Sequence, residues 1–189
     1  MSEEKKEQTR GEQLRKALLY DRKNGYDRLI DGEEEAVEAY CTGYKQFLDA
    51  GKTERECVDR AAALAEKAGF RPYVRGTQLK PGDKVYRVNR GKAVTLAVIG
   101  RKGLEQGANI GAAHIDSPRL DLKQNPLYET DELAFFKTHY YGGIRKYQWV
   151  TIPLELHGVV ALKGGQTVRV SIGGGEGDPL FTIDDLLPH

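Results

Sequence analysis

Gly107-Ala108-Asn109-Ile110-Gly111-Ala112-Ala113-His114-Ile115-Asp116-Ser117-Pro118 is the stretch on which the reading of this chain turns. Its first seven residues are mostly small or apolar, the composition of a strand packed closely on both faces of a sheet. It stops at a proline, and a residue that precedes proline is held extended, so the strand is expected to end beside His114 and Asp116. Residues two apart on a strand point to the same side, which makes these two side chains neighbours. At the carboxyl end of an α/β strand an imidazole can ligate zinc while a carboxylate holds its other ring nitrogen. By spacing alone a histidine satisfied at a strand end is the simpler reading, because a zinc site needs three or four ligands.

Upstream of this stretch the pattern is helical. Residues 1–30 are polar and charged and read as an arm with a turn or two of helix around Leu14, Leu18 and Leu19. Asp31 is placed to cap a helix, with Glu34 three residues on, and Val37, Tyr40, Cys41, Tyr44, Phe47 and Leu48 recur at helical spacing until Gly51. Thr53-Glu54-Arg55-Glu56 is a capping box opening a second helix, with Cys57, Ala61, Leu64, Ala65 and Ala68 on one face and Gly69 as its stop. Lys84 to Val88 and Ala93 to Ile99 then flank the turn Asn89-Arg90-Gly91 as a hairpin. Downstream, strands are expected at Leu133 to Tyr140, Trp149 to Leu156, Val159 to Leu162 and Val168 to Ile172, with one more short segment at Phe181 to Leu187. The fold class is α/β: a mixed central sheet with helices from residues 31–69 packed on it, running into a β-rich segment over 151–189.

Composition excludes several classes. The 189 residues carry 29 Lys+Arg against 28 Asp+Glu, a net charge of +1, and are 39% hydrophobic, which describes a soluble globular chain able to bury a core without disulfides. The longest apolar run, Ala93 to Ile99, is too short to span a bilayer, and the charged start Met1 to Arg10 lacks the pattern of a signal peptide, so no membrane partner and a cytoplasmic address are expected. Residues 52–105 are basic, with 13 cationic and 6 anionic side chains, yet these are scattered without interleaved aromatics, so no nucleic-acid partner is expected. Cys41 and Cys57 lie in helical stretches with no CxxC spacing and read as buried thiols of a reducing compartment.

Other candidate sites are weaker. Ser117 with His114 and Asp116 would be an unusual triad, since the base must lie between nucleophile and acid in space and three side chains within four residues rarely achieve that. Gly173 to Gly177 lacks the Gly-Lys-Ser/Thr of a phosphate cradle and reads as a hairpin loop. His139, His157 and His189 have no complementary spacing, and the first two read as structural histidines; Gly142-Gly143 and Trp149 read as a turn and a core anchor.

Gly111-Ala112-Ala113-His114-Ile115-Asp116-Ser117-Pro118-Arg119-Leu120, Tyr140-Tyr141-Gly142-Gly143-Ile144, Trp149, Leu156-His157-Gly158-Val159-Val160 and Asp185-Leu186-Leu187-Pro188-His189 together resemble the aspartyl aminopeptidase and vacuolar aminopeptidase I family of zinc metallopeptidases, most closely its bacterial branch. The resemblance runs from about Asp31 to His189. It implies a dinuclear zinc aminopeptidase that removes one N-terminal residue from peptides, in large homo-oligomers of dimers. It implies an architecture in which 1–30 is an N-terminal arm, 31–150 the first part of the proteolytic domain, and 151–189 a β-rich segment leading to a dimerisation domain. His114 matches the family's first zinc ligand, and Asp116 the carboxylate that orients it. Family members continue past the Leu-Leu-Pro-His segment, so the general base and the other ligands are expected beyond His189, and this chain alone is expected to be inactive. Trp149 is followed by Val150-Thr151-Ile152-Pro153 rather than the acidic-basic pattern of members selective for acidic N-termini, so that selectivity is not implied. A non-catalytic assembly module that kept the fold but lacks a complete metal centre is the alternative. In either case exposed apolar residues such as Leu180, Phe181, Leu186 and Leu187 lead us to expect self-association or a partner chain, such as the remainder of the peptidase.

Overall fold

A computed structural model describes residues 9–20 and 22–183. The chain divides into two compact units, Met1–Lys45 and Gln46–His189. In the first unit, helix α1 (Arg10–Leu18) is longer than the turn or two expected and opens with its own capping box, Thr9 and Glu12 bonding each other's backbone N–H groups. Helix α2 (Glu33–Ala50) begins two residues after Asp31. The expected Asp31 cap is corrected: Gly32 takes a positive φ of 87° ahead of the helix, and the carboxylate of Glu33 accepts from the Ile30 N–H at 3.0 Å. Cys41 is half-buried rather than buried, and Cys57 is buried; both thiols are free.

In the second unit, helix α3 (Glu54–Lys67) begins at Thr53 with the expected capping box and ends at Gly69, whose φ is 85°. The Phe70 N–H reaches back to Ala65 O and the Gly69 N–H to Glu66 O, which satisfies the last carbonyls. Short strand β1 (Arg71–Pro72) runs parallel to β2 (Lys84–Asn89), and β2 pairs antiparallel with β3 (Ala93–Val98), giving the expected mixed sheet and hairpin. Arg90 and Gly91 both take positive φ in the hairpin turn, the conformation that matches strand twist. Helix α3 packs on β2 and β3, and the buried residues are Cys57, Val58 and Ala65 from the helix with Val85 and Tyr86 from the sheet. Val58, absent from the expected apolar face, is the residue fully buried, whereas Leu64 is exposed.

Two further hairpins follow among the described residues of the unit. Strands β4 (Arg119–Thr130) and β5 (Leu133–Tyr141) pair antiparallel about the turn at Asp131 and Glu132, with a register shift between Leu122 and Leu127. Strands β6 (Leu156–Ala161) and β7 (Thr167–Ile172) pair antiparallel. The expected strand at Trp149 to Leu156 is not formed: Thr151 has a φ of 64°, Pro153 has no N–H to donate, and Leu154 alone bridges to Phe181. Phe181 is half-buried and Leu180 exposed, while the rest of the expected Phe181 to Leu187 segment beyond residue 183 lies outside the described residues.

The central strand expected at Gly107 to His114 is likewise corrected. Among the described residues no strand pairs with it, and Ile110 is 87% exposed. Small apolar composition marks a backbone that neighbours could approach closely, but a strand exists only where such neighbours supply its hydrogen bonds.

Helix α3 is the hub of this unit. Its first turns send Glu54 to Arg119 of β4 at 3.2 Å, Arg55 to the Arg90 carbonyl at 3.4 Å, Glu56 to His157 of β6 at 3.0 Å and Asp59 to Arg169 of β7 at 2.7 Å. Polar contacts from one helix thus reach all three sheets.

Candidate metal-ligand site

His114, Ile115 and Asp116 sit in unpaired backbone just ahead of β4 and, with Glu54, Lys92 and Tyr141, line a shallow cleft of about 450 Å³. A larger hollow of about 570 Å³ on the β1–β3 sheet contains no histidine or carboxylate and offers no comparable chemistry.

The spacing argument brings His114 and Asp116 together as expected, although no strand holds them. The His114 Nδ1 lies 3.0 Å from Asp116 Oδ1 and 3.1 Å from the Asp116 carbonyl oxygen. Both acceptors call for a proton on Nδ1, which places the lone pair of the neutral ring on Nε2. The His114 side chain is 85% exposed, so that nitrogen is open to solvent. The other carboxylate oxygen of Asp116 accepts the Tyr141 hydroxyl at 2.5 Å. That bond, helped by His114, holds the Asp116 carboxyl below its ordinary pKa; reciprocally, Asp116 pushes the Tyr141 hydroxyl up.

Arg119 and Tyr141 face each other in the β4–β5 register, and the guanidinium lies over the tyrosine ring at 4.2 Å. The same guanidinium pairs with Asp121 at 2.8 Å and with Glu54, and donates to the Ser117 carbonyl at 3.3 Å. Burial disfavours its charge, but Asp121 and Glu54 outweigh that and raise its pKa. Ser117 therefore acts through its backbone, as a turn residue would.

Tyr141, Arg119 and Glu54 were not singled out from the sequence. The available signal was Tyr140-Tyr141-Gly142-Gly143, in which Gly142 takes a φ of 73° and packs against Pro118, so the end of β5 is held beside the His114-Ile115-Asp116 segment.

The remaining candidates have structural partners. His157 stands between Glu56, 3.0 Å from Nδ1, and Glu155, 2.7 Å from Nε2. His139 lies opposite Asp121 in the β4–β5 register, with its ring against Tyr140. The Gly173 and Gly175 N–H groups both donate to the Asp178 carboxylate, so the glycine loop is occupied by the chain's own anion. His189 lies outside the described residues.

The donor chemistry fits one zinc ligand: an exposed imidazole with Nδ1 engaged by a carboxylate and Nε2 open. Among the described residues no group of three or more His, Cys, Asp or Glu side chains could hold a metal ion. Among the same residues no helix is long and apolar enough to cross a membrane.

A histidine whose Nδ1 is held by a carboxylate and whose Nε2 is open is the arrangement in which metal-ligating histidines are found. Residues 47–189 match the family model for the aminopeptidase I zinc metalloproteases (M18), and the chain belongs to that family. It is 49% identical over 176 residues to a probable M18 family aminopeptidase 1 of Clostridium acetobutylicum, covering 91% of this chain and 38% of that protein. Its fold is similar to the crystal structure of aminopeptidase I from Borrelia burgdorferi B31, with a TM-score of 0.80, 43% identity and coverage of 88% of this chain and 41% of that one. The crystal structure of an M18-family aminopeptidase from Thermotoga maritima matches with a TM-score of 0.78 and 44% identity, over 90% of this chain and 37% of that one. The chain thus spans about two-fifths of the length of the relatives it matches.

Proposed function

We propose that the protein to which this chain belongs is a zinc-dependent aminopeptidase that releases the N-terminal residue of peptides, and that His114 is one of its metal ligands. The observation that carries this reading is the contact between His114 Nδ1 and Asp116, which leaves Nε2 open, in a chain of the zinc metalloprotease family. Asp116 orients His114 by accepting its Nδ1–H, and the Tyr141 hydroxyl holds Asp116. When bound, a pair of zinc ions would supply a water of lowered pKa and polarise the scissile carbonyl. The ligands and general base that complete such a site belong, on this reading, to the portion of its relatives' length that this chain does not span.

Residues 1–30 are then an arm, 31–150 the first part of the proteolytic domain, and 151–189 the lead into a dimerisation domain. Exposed Leu122, Leu127, Tyr128 and Leu133 on the β4–β5 hairpin support burial against the rest of the peptidase chain or a further copy in a homo-oligomer. The free thiols of Cys41 and Cys57 suit a reducing, cytoplasmic address.

The test is zinc content by elemental analysis after dialysis, with release of N-terminal residues from short peptides. Both are measured on this chain alone and on the chain joined to the carboxyl-terminal remainder its relatives carry. Zinc and activity are expected only in the joined protein, and His114→Ala should lower both. No zinc and no activity in either sample would sink the proposal and leave a non-catalytic assembly module, a reading favoured only by the single candidate ligand among the described residues.

A further inference from the structure

A carboxylate can orient an imidazole only if the carboxylate is itself prevented from turning. Asp116 is held at both oxygens: Oδ1 faces His114 Nδ1 at 3.0 Å, and Oδ2 accepts the Tyr141 hydroxyl at 2.5 Å. Tyr141 is the last residue of β5, so its backbone is fixed by pairing with Arg119. Its ring is in turn covered by the Arg119 guanidinium, which Glu54 and Asp121 hold from two sides. The succession Glu54, Arg119, Tyr141, Asp116, His114 runs without a gap from the first turn of α3 to the exposed imidazole.

Resting on the reading of His114 as a zinc ligand, we infer that Tyr141 is a positioning residue for the metal site. Its hydroxyl donates to one oxygen of Asp116 and turns the other toward His114 Nδ1, favouring the tautomer whose Nε2 lone pair would be free to hold a metal ion. Arg119 keeps the phenol in place by stacking on the ring. A phenylalanine at position 141 would preserve the ring and the cation above it but remove the donor on the second oxygen of Asp116, so that the carboxylate is held less firmly in the orientation that faces His114.

The experiment uses the full-length protein with Tyr141→Phe, His114→Ala and the wild type, and has three readouts besides activity, one of them thermal unfolding of the zinc-free protein. Zinc dissociation constants are measured by competition with a chromogenic chelator, and the His114 tautomer is read by ¹⁵N NMR in the zinc-free protein. Tyr141→Phe is expected to weaken zinc binding about 10- to 100-fold, the range for loss of a group that orients a ligand. It should also shift His114 from the Nδ1–H tautomer toward a mixture, with zinc-free thermal unfolding at the wild-type temperature. Unchanged zinc affinity in Tyr141→Phe, beside a clear loss in His114→Ala, overturns the positioning role and leaves the zinc reading standing. Unchanged zinc affinity in His114→Ala overturns both. Loss of zinc that merely follows a lowered unfolding temperature of the zinc-free variant also overturns it, as a packing effect. If Tyr141→Phe does not fold, the wild-type spectrum decides: a dominant Nδ1–H tautomer supports the inference, and a dominant Nε2–H tautomer refutes it.

Discussion

His157 Nδ1 lies 3.0 Å from Glu56 Oε1 across 101 residues of sequence, and this contact joins the β6–β7 hairpin to the first turn of α3. Burial works against the charged imidazolium, but hydrogen bonds and charge from Glu155 and Glu56 outweigh it and raise the His157 pKa above 6.5. A group whose folded pKa is raised stabilises the folded state fully below its unfolded pKa, and that contribution is lost as the pH climbs through the folded value. The expected outcome is a hairpin whose amide protection, corrected for intrinsic exchange, declines from about pH 6.5 upward. Asp59 and Arg169, paired at 2.7 Å, tie the same hairpin to α3 through a second contact that involves no histidine. His157→Gln should flatten the profile, and equal slopes for variant and wild type would count against the assignment.

Thr53→Ala tests the cap that positions Glu56. The Thr53 hydroxyl accepts from the Glu56 N–H, and the Glu56 carboxylate accepts from the Thr53 N–H at 2.8 Å while its other oxygen faces His157. Losing an N-cap hydroxyl costs about 1 kcal/mol. Chemical denaturation should show that loss, together with a weaker pH dependence of the β6–β7 hairpin, because Glu56 is then less firmly aimed. A stability loss with the hairpin's pH profile untouched would separate the cap from the histidine contact.

What could be read along the chain was whatever depends on neighbours in sequence. The Thr53 capping box, the Gly69 stop and the turn at Asn89-Arg90-Gly91 each follow from local backbone chemistry, and each is present. The His114–Asp116 pair was legible for the same reason, being two residues apart. Strand β4 is not among the strands expected from the sequence; it carries Asn125-Pro126, a pair that turns the chain in most contexts and here is accommodated by a register shift with Asn125 at a φ of 50°. With β4 missing, the register that sets Arg119 opposite Tyr141 could not be derived, so the support behind Asp116 was invisible. The Gly107 to His114 segment failed in the opposite direction, because its composition reports tolerance for close neighbours without supplying them.

Asp178→Ala tests the closed glycine loop. Its carboxylate accepts from the Gly173 N–H at 3.1 Å and the Gly175 N–H at 2.9 Å, filling the position an external anion would need. Removing it should raise amide exchange at both glycines about 10-fold or more, the loss of bonds worth roughly 1.5–3 kcal/mol when the acceptor is charged. Inorganic phosphate at millimolar concentration should protect them in the variant and leave the wild type unaffected. Slow exchange persisting in the variant would show that the loop is closed by its backbone alone.

Gly51 lies between the last residue of α2 and the Thr53 cap of α3, and a methyl group there would meet Cys57 Sγ at 2.8 Å and the Phe47 carbonyl at 3.2 Å. Cys57 is buried beside fully buried Val58 and donates its S–H to the Gly51 carbonyl at 3.3 Å, so the sulfur has little room to retreat. Gly51→Ala should therefore destabilise the protein by about 1–3 kcal/mol, the range for overpacking. Cys57→Ala removes the obstructing sulfur at the expense of a small cavity. In the double variant the methyl group introduced at position 51 occupies part of that space, so the two losses should sum to more than the double variant shows, by about 0.5 kcal/mol or more. Strictly additive losses in a denaturation cycle would mean that the Phe47 carbonyl, rather than Cys57, sets the limit at this corner.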